Sequence, residues 1–387
     1  MPELVAIDVP WGPAFVDALV RVWDAGDAAA PLDPRLPPAA ADRLLAALQP
    51  AAVVGPDGDR RHVPGGRPVE PGDALVLATS GSTGHPKGVV LTHDAVEASA
   101  RASSDALGVD PGTDRWLACL PLSHVGGLSV VTRALHTGTP LEVLGRFDAG
   151  AVDAAAALGC TLVSLVPTTL RRVHAAPFRK ILLGGAAPPV TLPGNTVTTY
   201  GMTETGSGVV YDGRPLDGVE LAIGDGMLGA VGEVLVRGPM LLRAYRDGND
   251  PRLPEGWLPT GDGGQLTAAG VLQVEGRLAE VIVTGGEKVW PAPVEAVLGA
   301  VDGVAQVAVG ARPDGEWGQR VVAYVVPDDR EAPPTLASLR AAVRDLLAPW
   351  AAPKELVLVD RLPRTPSGKV RRSALATTMP ERLPSNG

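Results

Sequence analysis

Apolar residues recur at helical spacing from the start of the chain. In GPAFVDALVRVWDAG, Phe15, Leu19, Val22 and Trp23 fall on one face of a helix that stops at Gly26, and PAAADRLLAALQP repeats the spacing up to Pro50. These runs predict two helices with short strands. The turn-rich GPDGDRRHVPGGRPVEPGD closes the region and reads as a linker or surface loop.

Beyond residue 73 the pattern changes. Short apolar runs such as DALVLAT, RWLACLPL, CTLVSLVP, RKILLGG and NTVTTYG alternate with helical stretches that include GGLSVVTRALHTG and TTLRRVHAA. Such alternation predicts an α/β domain. GEVLVRG and GVLQVEGR read as hairpin strands. After Arg277 come two more β runs, VAQVAVGA and RVVAYVVP, and a helix with Leu336, Leu339, Val343, Leu346 and Leu347 on one face. The expected division is an α/β domain over 1–277 and a small α+β domain over 278–387, without internal repeats.

Composition narrows the function classes. At 387 residues the chain exceeds the ~250–300 residues at which single cores stop growing, so more than one domain is expected. A content of 45% hydrophobic and 20% charged residues fits a soluble globular protein. The net charge of −9 argues against non-specific binding to nucleic acid or membrane surfaces and confines anion capture to a local pocket. Cys119 and Cys160 lie in apolar settings without zinc-type spacing, which reads as two buried, reduced thiols. No secretory leader or run of ~18 apolar residues is present, and a cytoplasmic location is expected.

LATSGSTGHPKG, residues 77–88, carries the first chemical signal. Glycines let backbone N–H groups converge on an anion and Lys87 adds a point charge, at the carboxyl end of an expected strand, where α/β proteins place ligands. It is not a Walker A loop, because Pro86 and Gly88 stand where that motif needs Gly and Ser/Thr. From this stretch alone a turn without a ligand remains open.

Four further motifs follow in order: YGMTE (200–204), GWLPTGD (256–262), GRLAEVIVTGGEKVWPAPVE (276–295) and RTPSGKVRR (364–372). Together with the glycine-rich loop they resemble the adenylate-forming superfamily of acyl-CoA synthetases, firefly-type luciferases and peptide-synthetase adenylation domains. The resemblance implies a large N-terminal adenylate-forming domain of layered sheets and helices, with a small mobile C-terminal domain. It implies ATP and Mg²⁺ as cofactors and coenzyme A as co-substrate.

The resemblance also implies roles. Thr79, Ser80, Gly81, Ser82, Thr83 and Lys87 would hold the ATP phosphates and then pyrophosphate. Tyr200 and Gly201 would lie against the adenine, with Gly184, Gly185 and Ala186 on its other side. Thr203 would reach the α-phosphate, and Glu204 would bind magnesium, as hard oxygen suits that ion. Asp262 would accept both ribose hydroxyls, and Arg277 would contact ribose or phosphate. Lys369 would place a cation between carboxylate and phosphate in the transition state. Gly285 and Gly286 would give a pantetheine arm passage past the backbone after the C-terminal domain swings. At the hinge this chain has Ala279, then Glu280, where many members carry Asp or Lys at the first position. Taken alone, each residue also has a plain structural role: Asp262 a cap, Tyr200 a core aromatic, Arg277 an interface ion pair, Lys369 a solvated basic tail.

For the acid, PLSHVGGLSVVTRAL resembles the acyl-pocket segment, giving His124, Gly126, Gly127 and Ser129, while SLVPTTLRR adds Thr168 and Thr169. His124 would be a mobile gate or a core histidine. Ser123 replaces a frequent aromatic and opens the pocket or adds a donor. Arg133, Arg171 and Arg172 read equally as solvated helix residues and as carboxylate clamps. Residues 1–76, short for an acyl-CoA synthetase, resemble the actinobacterial-type 2-succinylbenzoate–CoA ligases of menaquinone biosynthesis. A small carboxylic acid is therefore the expected partner, with no nucleic acid and room for a homodimer. Other aryl or medium-chain acyl-CoA synthetases and a carrier-loading adenylation enzyme are the alternatives.

Overall fold

The computed structural model describes residues 1–80, 86–224, 229–364 and 370–375. One seven-stranded sheet runs in the order Ala244–Tyr245, Pro86–Thr92, Asp73–Ser80, Ala28–Pro31, Leu4–Ile7, Ala52–Val54, Arg60–His62. Its central strands are parallel and almost fully buried, as expected for near-continuous apolar runs such as LVAI and AAAP. Helix Pro13–Asp24 buries Phe15, Leu19 and Val22 against it. Asp73–Ser80 and Pro86–Thr92 form an antiparallel pair in which Thr79 faces Lys87, so the two residues stand at the base of the glycine-rich loop. Thr92 then caps helix His93–Leu107 by accepting from Ala95 N at 3.1 Å.

A second seven-stranded sheet joins Trp116–Ala118, Leu162–Leu165, Lys180–Leu183 and Thr196–Gly201 as parallel neighbours. Their carboxyl ends therefore open on one side. The stretch TTLRRVHAA yields only the single turn Pro167–Leu170. Helix Val125–Thr137 and helix His93–Leu107 pack together over this region. The third sheet is antiparallel, with Gly232–Arg237 and Leu272–Arg277 on either side of Leu258–Leu266.

A five-stranded sheet of Ile282–Thr284, Glu287–Val289, Val304–Asp314, Gly318–Pro327 and Glu355–Leu358 follows, with its own apolar cluster that includes Ile282, Leu298, Val325, Leu339 and Val343. Helix Leu336–Leu346 is held at its start by a Thr335–Ser338 capping box and buries Leu339 and Val343. Leu346 corrects the sequence expectation: it is 67% exposed, while Leu339 and Val343 on the same helix are fully buried. Trp290 lies against the two strands of the preceding sheet, where a Cβ at Gly263 would meet its ring at 2.2 Å. Cys119 and Cys160 are both free and buried, and burial pushes the Cys119 thiol up to about 12. No helix among the described residues is long and apolar enough to cross a membrane.

Candidate active site

The centre of the candidate site is a hydrogen-bonded line from Tyr200 to Arg277. The Tyr200 hydroxyl donates to Asp262 Oδ2 at 2.9 Å, and Arg277 Nε stands 3.1 Å from Asp262 Oδ1. Register makes this meeting possible, because Asp262 and Arg277 are directly opposed on adjacent antiparallel strands. Arg277 Nη1 also donates to Thr260 O, and Thr260 Oγ1 accepts from Asp262 N, so both side chains are aimed by the strand that carries the aspartate. Burial, reinforced by the Asp262 charge, pushes the Tyr200 phenol upward and keeps it a proton donor. Asp262 is buried while the Arg277 side chain is half exposed, so the carboxylate faces inward with the cation at its rim.

Gly184 follows strand Lys180–Leu183 and packs against Thr199 on the neighbouring parallel strand, and Gly185 and Ala186 continue outward, exposed. Gly201 pairs with Gly208, where the register shifts after Tyr200 and turns the chain toward Thr203–Thr205. Thr205 closes that turn, accepting from Met202 N at 2.9 Å and donating to Ser207 O at 2.7 Å. Thr203 and Glu204 are thereby held at its open side. Gly81, Ser82, Thr83, Lys369 and the Ser80 side chain lie outside the described residues.

Sequence reasoning missed Tyr245. Its hydroxyl donates to Glu204 Oε1 at 3.0 Å, and Lys87 Nζ lies 5.0 Å from its ring centroid. Burial and the Glu204 charge push this phenol upward too. The dipeptide AY inside GPMLLRAYRDG carries no motif signal; only the pairing of its strand with Pro86–Thr92 brings it to the site.

On the acyl side, His124 is exposed at the start of helix Val125–Thr137, which settles against its reading as a core histidine. Gly126 is exposed. Gly127 is buried with the Pro121 carbonyl against it, and Ser129 is buried one turn on. Ser123 is buried and its Oγ has no partner. Thr168 is exposed, whereas the Thr169 hydroxyl is engaged by Val166 N and O. Arg171 and Arg172 are exposed, as for solvated residues.

Arg133 is different. The residue is only 3% exposed, and its guanidinium donates to Ser103 Oγ at 2.8 Å and to Ser207 Oγ and Tyr211 Oη at 3.3 Å, with Trp116 beneath it. It is not a solvated helix residue. Its Nη1 is buried without a partner, and no carboxylate among the described residues faces it. Ser99, which shares a hydrogen bond with Ser207, also lines a cavity of about 10 Å³ with Ser129 and Thr132, room for about one water.

In the C-terminal part, Gly285 and Gly286 form the two-residue turn of the hairpin that pairs Thr284 with Glu287, both with positive φ (61° and 85°). A Cβ at Gly285 would meet the Trp317 ring at 2.5 Å, while Gly286 faces open space. On either side of 365–369, Arg364 and Val370 form an antiparallel bridge and Arg371 N donates to Pro363 O at 2.8 Å. Arg372 Nε donates to Glu280 Oε2 at 2.6 Å. The residue after Ala279 is thus tied to the segment that carries Lys369.

Residues 56–246 match the family model of the AMP-binding enzymes, and residues 293–369 match that of the AMP-binding enzyme C-terminal domain. A probable 2-succinylbenzoate–CoA ligase of Mycobacterium tuberculosis is 39% identical over 379 residues, covering 91% of this chain and 96% of that protein. The chain belongs to the AMP-binding enzymes. Among solved structures of this family, the o-succinylbenzoate CoA synthetase of Bacillus subtilis in complex with the acyl-adenylate intermediate OSB-AMP has a TM-score of 0.86 at 28% identity, covering 98% of this chain and 89% of that one. The same synthetase in complex with ATP and magnesium ion has a TM-score of 0.84 at 28% identity, with 96% and 89% covered. The fold is that of an adenylate-forming enzyme.

Proposed function

We propose that this AMP-binding enzyme joins 2-succinylbenzoate to coenzyme A, first forming an acyl-adenylate from ATP and then transferring the acyl group to the thiol. The observation that carries the choice of acid is the 39% identity over 91% of the chain to a probable 2-succinylbenzoate–CoA ligase; the residue we assign to the second carboxylate is Arg133. A guanidinium held among hydroxyls in the interior, with one nitrogen unpartnered, is costly unless an anion compensates it. A dicarboxylate brings one reacting carboxylate and a second that remains charged. A monocarboxylate brings none to spare.

The adenylation residues divide the remaining work. Attack of a carboxylate on the α-phosphate brings two anions together, so the site must neutralise charge and align the attack. Asp262, fixed by Tyr200 and Arg277, is the carboxylate that would accept from the ribose hydroxyls. Glu204 offers the hard oxygen that magnesium prefers, and bound magnesium supplies neutralisation of the phosphates. Lys87 and Lys369 supply the cations. We assign residues 278–387 to a mobile unit that presents Lys369 for the first step and the Gly285–Gly286 turn for the second. A cytoplasmic enzyme, dimeric or not, suits these soluble substrates.

The deciding experiment is ATP–pyrophosphate exchange with Mg²⁺, comparing 2-succinylbenzoate with benzoate and a medium-chain fatty acid, followed by addition of CoA. Exchange and thioester with the dicarboxylate alone support the proposal. Preference for a monocarboxylate would keep the chemistry and discard the substrate.

A further inference from the structure

Glu204 is gripped twice by one short segment. Its backbone carbonyl accepts from Leu242 N at 2.8 Å, and its carboxylate accepts from the Tyr245 hydroxyl at 3.0 Å. Residues 242–245 belong to neither the YGMTE turn nor the glycine-rich loop. They reach both because Ala244–Tyr245 adds an antiparallel strand to Pro86–Thr92, pairing Tyr245 with Val89. Lys87 is two residues from Val89, so it occupies the diagonal cross-strand position on the same face, within reach of a long side chain. Its ammonium lies 5.0 Å from the Tyr245 ring centroid, the attractive arrangement for a cation over a π face.

We propose that Tyr245 is a positioning residue for nucleotide and metal: its hydroxyl orients the Glu204 carboxylate, and its ring supports Lys87, so that one side chain sets the spacing of the two. This rests on the reading of Glu204 and Lys87 as magnesium- and phosphate-binding groups. A tyrosine standing between a cation and an anion gives each a partner that is not the other. Incoming MgATP then has no internal ion pair to break. The hydroxyl and the ring do separable things, and two substitutions separate them.

The test is equilibrium binding of a fluorescent ATP analogue to the full chain, in EDTA and across a Mg²⁺ titration, with thermal melting as a fold control. Tyr245→Phe keeps the ring and removes the hydroxyl. It should raise the Mg²⁺ concentration for half-maximal tight binding by roughly tenfold, as expected for a lost hydrogen bond to a charged group, while EDTA affinity stays within about twofold. Tyr245→Leu should show the same magnesium effect and also weaken binding in EDTA by about threefold, through loss of the Lys87 contact. In a Glu204→Gln background, Tyr245→Phe should no longer change the magnesium requirement. A Phe variant that melts like wild type with an unchanged magnesium requirement overturns the inference alone. A wild-type chain whose nucleotide binding ignores Mg²⁺ overturns the reading of the site and this inference with it.

Discussion

Arg372 and Glu295 form a bidentate ion pair, with Nη1 and Nη2 donating to the two carboxylate oxygens at 2.6 and 3.0 Å. Glu295 accepts in addition from Val309 N at 2.7 Å, so the pair is fastened to the five-stranded sheet. Fork-to-fork geometry fixes direction as well as distance. The same arginine holds Glu280, three residues after Arg277.

Arg372→Gln should therefore act on the first half-reaction. Lys369→Ala is expected to reduce ATP–pyrophosphate exchange strongly while sparing thioester formation from a supplied acyl-adenylate. Arg372→Gln should follow the same pattern more weakly, by about tenfold, with Arg372→Lys no substitute because it loses the fork. Equal loss in both half-reactions would count against this assignment.

Substrate choice should follow Arg133. Arg133→Met keeps much of the volume and removes the charge. It should lower kcat/KM for the dicarboxylate by about a hundredfold, the scale of losing one partner of a desolvated charge pair, and should leave a monocarboxylate nearly unaffected. Competitive kinetics with both acids in one tube would read the ratio directly.

The two glycines of the 282–289 hairpin should respond differently. Gly285→Ala adds a Cβ that collides with Trp317 in a backbone conformation that side chains disfavour, and it should cost more stability than Gly286→Ala, whose Cβ meets only the strain of positive φ. Gly286→Trp folds with its bulk in open space, so it should block CoA transfer while leaving pyrophosphate exchange intact.

Acid sensitivity has an identifiable contributor. Although burial pushes Asp114 upward, hydrogen bonds from Arg179, Asp110 N and Thr161 outweigh it and hold the carboxyl below its ordinary 3.8. A lowered folded value means that the stabilisation is complete above pH 3.8 and is lost as pH falls through the lower folded value. Asp114→Asn should cost on the order of 2 kcal/mol in urea unfolding at neutral pH, and the cost should shrink as the pH is taken progressively below 3.8.

The alternation of apolar runs predicted an α/β domain, and the motifs singled out Glu204 and also Tyr200, Asp262 and Arg277, which the structure joins in one hydrogen-bonded line. What one dimension hid were relations across elements. Tyr245 has no signature and reaches Glu204 only because its strand lies beside Lys87. Arg133 sits in SVVTRAL, where a lone charge among apolar neighbours suits either a rim or an interior. Only the packing of helix Val125–Thr137 on helix His93–Leu107 makes it interior. Leu346 continued a helical stripe yet is exposed, since periodicity records which way a residue points and not whether anything is there to meet it.

Trp290 rests its ring on Gly263 and beside Gly276, apolar surface on bare backbone. A joint made by shape has no preferred bond to sever. Its fit depends on the two sockets staying empty. Positions 263 and 276 are thus where small changes in sequence would be felt between distant halves of the enzyme, although neither carries a functional group.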